Sequence, residues 1–125
     1  MALKYLIDTN CINYLFLKTD LPLQKSIAKG ALVFISVVTV IEFGSNPNLL
    51  NLNRVLFETL VENANILDVK HEDNLLIQKT ISLRKKYKLK TPDAIIAAQA
   101  VLNNLILVTN DESFCNIFGL QIEKL

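Results

Sequence analysis

Short runs of consecutive apolar residues alternate along the chain with longer segments in which apolar residues recur every three or four positions. Runs that are short, continuously apolar and rich in β-branched residues are typical of strands buried on both faces of a parallel sheet. Two such runs lie at residues 32–35 and 105–108; residues 3–7 and 66–69, each interrupted by one charged residue, are the other predicted strands, with 121–123 as a candidate edge strand. The longer segments predict helices at residues 10–17, 22–29, 37–43, around 52–60, 72–87, 91–103 and 112–118. This alternation predicts an α/β fold, a small, mainly parallel sheet sandwiched by helices.

Capping and turn residues mark several of the predicted helix ends. Pro22 begins one helix and Gly30 follows its end, while Ser36 is a good N-cap for the helix after the second strand. In Thr91-Pro92, a capping residue is followed by proline, which predicts that Thr91 is the N-cap and Pro92 the first helical residue.

Composition fits one domain over residues 1–125. With 51% hydrophobic residues, the chain has enough apolar surface to bury a core without disulfides or structural metals, and its two cysteines are expected to be free thiols. Thirteen basic residues against 12 acidic ones give a formal net charge of +1, so any site for a polyanion has to be local. The longest nearly apolar run, at 31–41, is too short to cross a bilayer, and the N-terminal residues do not resemble an export signal. We therefore expect a cytoplasmic protein without a membrane partner.

Four acidic residues are expected at one edge of the sheet. Asp8 and Asp111 follow the first and fourth strands, and Asp93 lies in the first turn of a predicted helix. Glu42 lies two turns into the helix after the second strand, among apolar neighbours, where an unpaired buried carboxylate would be costly. The simplest compensation is a cation shared with the other acids. Since the ligands are all oxygens, this cation is expected to be Mg²⁺ or Mn²⁺.

Each acid also has a purely structural explanation. Asp8 and Asp111 can act as helix N-caps, Asp93 can complement the positive end of its helix dipole, and Glu42 can lie on a partly exposed helix face. Taken together, four such coincidences at one end of a sheet are less probable than a common site. Divalent ions held there would activate water against a phosphodiester and need no histidine.

Four stretches of the sequence carry a family resemblance. Residues 6–10 (LIDTN), 35–43 (ISVVTVIEF), 91–98 (TPDAIIAA) and 107–114 (LVTNDESF) resemble, in this order, the motifs of PIN-domain ribonucleases, and most closely those of VapC-like toxins of bacterial toxin–antitoxin pairs. The resemblance implies a metal-dependent endoribonuclease that cleaves RNA. It also implies an acidic quartet that serves as both catalytic and metal-binding residues: Asp8, Glu42, Asp93 and Asp111.

The resemblance implies supporting residues and partners as well. Asn10 and Thr109 would orient the carboxylates by hydrogen bonds. The metal contact of Asp111 is the least direct of the four, and Glu112 is a candidate to share or replace its role. The implied partners are a cognate antitoxin and a second copy of the chain, for which apolar helix faces such as that of residues 49–60 are available.

Positive charge is concentrated just before Asp93. Five of the 13 basic residues fall within seven positions. They are Arg84, Lys85, Lys86, Lys88 and Lys90. This group is a candidate RNA-binding track, and it is equally well explained as a solvated helix end whose cations complement the dipole.

Other functions are weighed against this one. Asp8 at the end of the first strand also suits an aspartate-nucleophile phosphatase or phosphotransferase, although such enzymes commonly place another aspartate two residues later, where this chain has Asn10. A non-catalytic partner-binding module remains open. A zinc site built from Cys11, His71 and Cys115 lacks the close ligand pairs that usually signal one, and no Gly-rich nucleotide motif occurs.

Overall fold

The predicted strands form a single five-stranded parallel sheet in the computed structural model of the chain, which describes residues 2–18 and 21–125. Residues 1, 19 and 20 of the predicted domain lie outside this described part. The strands are β1 (Lys4–Ile7), β2 (Leu32–Ser36), β3 (Asn65–Leu67), β4 (Ile106–Val108) and β5 (Gln121–Glu123). Their order in the sheet is β3-β2-β1-β4-β5, so β1 is central and its C-terminal end lies between those of β2 and β4.

Six α-helices connect and cover the strands within the described residues. They are α1 (Thr9–Leu17), α2 (Pro22–Ala28), α3 (Val37–Gly44), α4 (Asn51–Asn63), α5 (Asn74–Tyr87) and α6 (Thr91–Leu102). Ser36 caps α3 as predicted, because its hydroxyl accepts a hydrogen bond from the backbone N–H of Val38. Gly30 follows α2 with a φ of +102°, a conformation in which glycine carries little strain.

The centre of the sheet, β1 and its neighbours, is buried on both faces, as its mainly apolar strands predict. Leu6 of β1 packs with α5 and α6, whereas its neighbours Tyr5 and Ile7 pack on the opposite face with α1 to α4. The α/β sandwich expected from the sequence is therefore confirmed. Because successive side chains of a strand point to opposite faces, this alternation places one helical layer on each side.

One predicted N-cap and one predicted α-helix are wrong. The N-cap of α6 is Lys90, which makes no side-chain capping bond, and Thr91 is the first helical residue. The segment at 112–118 forms only one turn of 3-10 helix, Glu112–Phe114, followed by turns up to Gly119, whose φ is +82°. Its backbone bonds, from Cys115 N–H to Glu112 O and from Ile117 N–H to Phe114 O, join residues three apart rather than four, so no α-helix develops.

The connection between β3 and α5 also differs from the prediction. The strand ends at Leu67 rather than at residue 69, and the helix begins at Asn74 rather than at residue 72. Asp73 caps it by accepting the backbone N–H of Leu76 at 3.1 Å. His71 lies in the turn before this helix and is exposed, so it does not begin the helix as expected.

The apolar face of α4 is largely unpaired. Leu52 is 69% exposed and Val55 57% exposed, while Phe57 is the buried residue of the helix. The periodicity of leucines and valines thus identified the helix correctly, although much of that face points to solvent. None of the helices within residues 2–18 and 21–125 is both long and apolar enough to cross a membrane.

Candidate active site

Asp8 lies at the centre of the carboxyl edge of the sheet. It follows β1 directly, is only 4% exposed, and its backbone N–H donates to the carbonyl of Val108 on β4. Its Oδ1 accepts the backbone N–H of Thr9 at 2.8 Å, and its Oδ2 accepts the hydroxyl of Thr109 at 2.8 Å. Asp8 therefore caps α1 and is also held by the strand across the sheet, so its carboxylate has a fixed orientation.

Asp111 is joined to Asp8 through Thr109. The same Thr109 hydroxyl that donates to Asp8 accepts the backbone N–H of Asp111 at 3.0 Å. Asp111 is half-buried, and its Oδ1 accepts the backbone N–H of Ser113 at 2.9 Å, which makes it the cap of the 3-10 turn. Asp111 thus caps the 3-10 turn and also lies close to Asp8.

Glu42 reaches the same edge from α3. Contrary to expectation, it is exposed rather than buried among its apolar neighbours. Its Oε1 accepts the hydroxyl of Thr9 at 2.9 Å, and that hydroxyl also lies within hydrogen-bond distance, 3.2 Å, of Oγ1 of buried Thr39. The costly burial that suggested a shared cation therefore does not apply to Glu42.

Thr9 is a site residue that the sequence analysis missed. Asn10 is exposed, and within residues 2–18 and 21–125 it makes no hydrogen bond to any of the four carboxylates, whereas Thr9 binds Glu42. A signal was present in the sequence, because Thr9 directly follows the capping Asp8 and so lies in the first turn of α1, beside the sheet edge. The role expected of Thr109 agrees with its bond to Asp8.

Asp93 lies in the first turn of α6 and is half-buried. Burial raises its pKa above the ordinary value of 3.8, and Asp8, Asp111 and Glu42 raise it further by repulsion, while Lys90 lowers it. Every other acid of the quartet therefore lies within electrostatic reach of this carboxyl.

The pKa of Asp8 is also raised from 3.8, first by burial. The hydrogen bonds from Thr109 and from the Thr9 amide lower it, and the charges of Asp111 and Glu42 raise it again. The charged forms of Asp8 and Asp93 are thus disfavoured by burial and by neighbouring negative charge, and a bound cation would relieve both effects.

The oxygen atoms of these carboxylates suit a hard divalent ion, but they do not by themselves form a complete coordination shell. In the part of the chain that the structure describes, no three His, Cys, Asp or Glu side chains are close enough together to hold one ion. Mg²⁺, however, commonly keeps several waters and binds proteins through only one or two carboxylates. Oxygen ligands, accumulated negative charge and a carboxylate, that of Asp8, held in place by Thr109 suit such an ion.

Glu112 is exposed and pairs with neighbours outside the quartet. Its Oε1 lies 2.6 Å from Nζ of Lys124, and its Oε2 accepts the thiol of Cys115 at 3.1 Å. This pairing lowers the pKa of Glu112, and Glu112 is not among the charges that shift the pKa of Asp8 or Asp93. The structure thus gives Glu112 local partners on the surface.

The five basic residues lie around the turn between α5 and α6, and all are exposed. Arg84, Lys85 and Lys86 occupy the last turn of α5, where they complement its dipole, and Nε of Arg84 donates to the carbonyl of Leu89 at 3.2 Å. Lys88 is the left-handed C-cap of α5, and Lys90 precedes α6. Of the five, Lys90 is the one whose charge acts on the pKa of Asp93, so one end of the basic group adjoins the acidic edge.

The zinc alternative finds no support in the described residues. Both cysteines are free; Cys11 is buried, and Cys115 is exposed and paired with Glu112. Burial raises the pKa of the Cys11 thiol to about 11, which opposes formation of a thiolate ligand.

Comparison with known proteins agrees with this architecture. The family model described as PIN domain matches residues 5–119. The chain belongs to the PIN domain family. Comparison with curated protein sequences gives no match.

Solved structures similar to this PIN domain come from toxin–antitoxin complexes. A chain of DNA-bound VapBC from Salmonella typhimurium is 26% identical, with a TM-score of 0.77 and 98% coverage of both chains. A chain of a Klebsiella pneumoniae toxin-antitoxin complex is 28% identical, with a TM-score of 0.69 and coverage of 93% of this chain and 94% of the other. A chain of Rickettsia felis VapBC2 bound to a promoter DNA fragment, 22% identical with a TM-score of 0.78 and 98% coverage of both, supports the fold.

Proposed function

We propose that this PIN domain is a cytoplasmic, Mg²⁺- or Mn²⁺-dependent endoribonuclease and the toxin of a toxin–antitoxin pair. The observation that carries the proposal is the state of Asp93, whose pKa is raised first by burial and then by three other carboxylates at the carboxyl edge of a PIN fold. Ligands of open parallel α/β sheets bind at this edge. Clusters of perturbed titratable groups there are typical of functional sites.

Each acid has a distinct position in the proposed site. Asp8 and Asp93, the two whose pKa values are raised, would hold the ion, with Glu42 and Asp111 completing the negative charge around it. The hydroxyl of Thr109 keeps Asp8 in place and that of Thr9 keeps Glu42 in place. When bound, the ion lowers the pKa of an attacking water and stabilises charge on the leaving oxygen of a phosphodiester.

The basic group supplies a path for the substrate backbone. Lys90 adjoins Asp93, and Lys88 lies two positions earlier in an exposed turn. Lysine and arginine side chains bind phosphates without reading base sequence, so this surface would position the RNA rather than select its bases.

The proposed protein partners follow from the relatives and from the surface. The Klebsiella and Salmonella structures are described as a toxin-antitoxin complex and as VapBC, which supports a cognate antitoxin for this chain. A homodimer is proposed through the exposed apolar face of α4, which includes Leu52 and Val55. The dimer is tested by light scattering: Leu52→Glu should yield a monomer, while Phe118→Glu, at an 86% exposed residue outside α4, should leave the dimer intact.

Cleavage of RNA by the purified protein tests the nuclease. We expect cleavage with Mg²⁺ or Mn²⁺, none in EDTA, and none by Asp8→Asn or Asp93→Asn. Glu112→Gln is the matched control, because it removes a nearby carboxylate that is paired with Lys124 outside the site. A DNA strand of the same sequence tests the preference for RNA.

Other outcomes would point to other functions. Equal cleavage by wild type and Asp8→Asn would remove the proposed catalytic site. A biological effect that survives Asp8→Asn would indicate a partner-binding module, and a trapped phosphate on Asp8 would indicate a phosphotransferase.

A further inference from the structure

Phe118 presents an aromatic ring on the surface between the 3-10 turn and β5, where its side chain is 86% exposed. Ile117, directly before it, is buried, and Leu120, two positions after it, packs on the same core as α5 and α6. The ring of Phe118 belongs to neither core cluster of the residues that the structure describes. Its aromatic face is therefore available to a ligand.

The backbone that carries this ring is held in place. The N–H of Phe118 donates to the hydroxyl oxygen of Tyr87 at 3.0 Å. The N–H of Leu120 donates to the carbonyl of Ile117 at 3.3 Å, and Gly119 between them has a φ of +82°, which glycine adopts with little strain. An aromatic side chain has only two rotatable bonds. Because backbone and side chain have little freedom to lose, the ring can bind a ligand at a low entropic cost.

Tyr87 connects Phe118 to the basic group at the turn between α5 and α6. Tyr87 is the last residue of α5, and Nζ of Lys86 lies 5.4 Å from the centroid of its ring. Its hydroxyl accepts the backbone N–H of Phe118, so Tyr87 contacts both the ammonium of Lys86 and the turn that carries the exposed ring. Lys88, which is exposed, follows Tyr87 directly. Phe118 thus lies beside positive charge.

An exposed aromatic ring next to several cations is the combination that binds single-stranded nucleic acid. Every base has a π-face that can stack on the ring, while its phosphates bind the cations. The bases of a duplex are stacked on one another, so a duplex can use only the cations. At its other end the basic group reaches the acidic edge, because the charge of Lys90 acts on Asp93.

We propose that Phe118 stacks on one unpaired base of an RNA strand whose backbone follows Lys86, Lys88 and Lys90 toward Asp93. This inference rests on the proposed function, which names RNA as the substrate, and adds that the strand is unpaired beside the acidic edge. Stacking tolerates any base, so Phe118 selects single strands and not a base sequence. A docked protein is the competing occupant, since aromatic residues also anchor protein interfaces. The neighbouring cations favour RNA.

Binding of RNA in the Asp8→Asn background tests the proposal without interference from cleavage. The probe is a short labelled single strand of mixed sequence that does not pair with itself, and fluorescence anisotropy measures its affinity. Phe118→Ala should weaken binding by about fivefold or more, the lower end of the range for one stacked base. Binding of a duplex of the same sequence should not change. The fold should persist, because the ring is exposed and the hydrogen bond to Tyr87 uses the backbone N–H.

Three further variants separate stacking from other effects. Phe118→Trp keeps an aromatic face and should retain the affinity, whereas Phe118→Leu is apolar without a π-face and should lose about as much as Phe118→Ala. Leu75→Ala is the matched control, because Leu75 is 75% exposed but lies in the first turn of α5, at the opposite end of that helix from Tyr87. It should bind RNA as the parent does.

Removal of single bases from the probe locates the stacked nucleotide. At one position of the strand, an abasic site should weaken binding to the parent as much as Phe118→Ala does. The same abasic site should cause no additional loss in Phe118→Ala, because both changes remove one contact.

The proposal is overturned if Phe118→Ala binds the single strand as tightly as the parent, or if it loses as much affinity for the duplex. It is also overturned if Phe118→Leu retains full affinity, which would indicate an apolar contact of the kind that suits a docked protein. Cleavage by the chain with Asp8 intact separates this result from the nuclease. Cleavage of RNA together with unchanged binding by Phe118→Ala would remove the stacking site alone, and the expected binding losses without cleavage would support the stacking site and remove the nuclease.

Discussion

The hydroxyl of Thr109 donates a 2.8 Å hydrogen bond to Oδ2 of Asp8, a residue 101 positions away in sequence. The same oxygen accepts the backbone N–H of Asp111. One buried side chain at the end of β4 thus fixes the carboxylate that follows β1 and the backbone of the acid that follows β4. A hydroxyl is needed here, because the position must donate to one neighbour and accept from the other.

Replacing Thr109 separates this role from simple packing. Thr109→Val keeps the shape of the side chain but removes the hydrogen-bond partner of Oδ2 of Asp8 and of the Asp111 amide, so we expect a loss of about 1–3 kcal/mol in the free energy of unfolding. RNA cleavage should fall about 10- to 100-fold, as is usual when an orienting partner of a metal ligand is lost. Thr109→Ser retains the hydroxyl and should keep most of both. Equal behaviour of the two variants in urea unfolding and cleavage assays would contradict this role.

The family resemblance implies that Asn10 orients a carboxylate, whereas in the structure Thr9 makes such a hydrogen bond. Variants of the two residues therefore compare the two assignments directly. Thr9→Val removes the 2.9 Å bond to Glu42 and should lower the cleavage rate about tenfold, whereas Asn10→Ala should change it little, because Asn10 is exposed and does not bind the carboxylates. The measurement is the rate of cleavage at saturating Mn²⁺ for the two variants. A larger loss for Asn10→Ala would show that the resemblance assigned the role correctly.

The sequence predicted the sheet and its acidic edge because both depend on local patterns. A continuously apolar strand followed by aspartate places that aspartate at the carboxyl edge, whichever strand lies beside it. The exposure of Glu42 was not predictable in this way, since it depends on how α3 is oriented relative to α1. The segment that begins at Glu112 was predicted as a helix because its residues suit one. In the structure its backbone N–H groups bond to carbonyls three residues earlier, and the sequence pattern does not distinguish this spacing from that of an α-helix.

Buried Gln99 of α6 shows a different limit of sequence reasoning. A glutamine among the alanines of α6 marks a polar residue on a buried helix, but its partners come from the end of β3, more than 30 positions earlier. Only the packed structure shows that its amide nitrogen faces two carbonyl oxygens, while its oxygen has no donor among residues 2–18 and 21–125.

Repulsion among the carboxylates predicts a stability effect with a definite pH dependence. Asp93→Asn should stabilise the metal-free protein at neutral pH by on the order of 1 kcal/mol, because a charged carboxylate is no longer partly buried and no longer repelled by three like charges. The pKa of Asp93 is raised above 3.8, so the folded state binds the proton more tightly than the unfolded chain. The difference between variant and wild type should therefore shrink as pH falls through the raised pKa, and vanish below pH 3.8.

Glu112→Gln is the control with the opposite sign. The pKa of Glu112 is lowered by Lys124, so this variant should be less stable than the wild type at neutral pH. The difference should disappear as pH falls through the lowered pKa, because the wild type then loses the same stabilisation. Urea unfolding in EDTA across this pH range measures both variants. Parallel curves for wild type and Asp93→Asn would show that no repulsion is relieved.

The two thiols should differ sharply in reactivity. Cys11 is buried with a pKa of about 11, whereas Cys115 is exposed, so a thiol reagent should label one cysteine quickly in the native protein and both in urea. Glu112 raises the pKa of Cys115, so Glu112→Gln should accelerate its alkylation near pH 8. The fast phase should disappear in Cys115→Ser. Two fast thiols in the native wild type would mean that Cys11 is accessible.

Lys90 tests whether the basic group binds RNA or only stabilises a helix end. It precedes α6 and acts electrostatically on Asp93, whereas Lys85 lies in the last turn of α5. Binding is measured in the Asp8→Asn background, so that cleavage does not intervene. A lysine that contacts one phosphate contributes about 0.7 to the slope of log affinity against log salt for a single strand. Lys90→Gln should therefore weaken RNA binding and flatten that slope by this amount. If Lys90 serves only the helix end, the slope will stay the same and only the stability of the variant will change. If Lys85→Gln weakens RNA binding as much as Lys90→Gln does, the RNA-binding surface extends along α5.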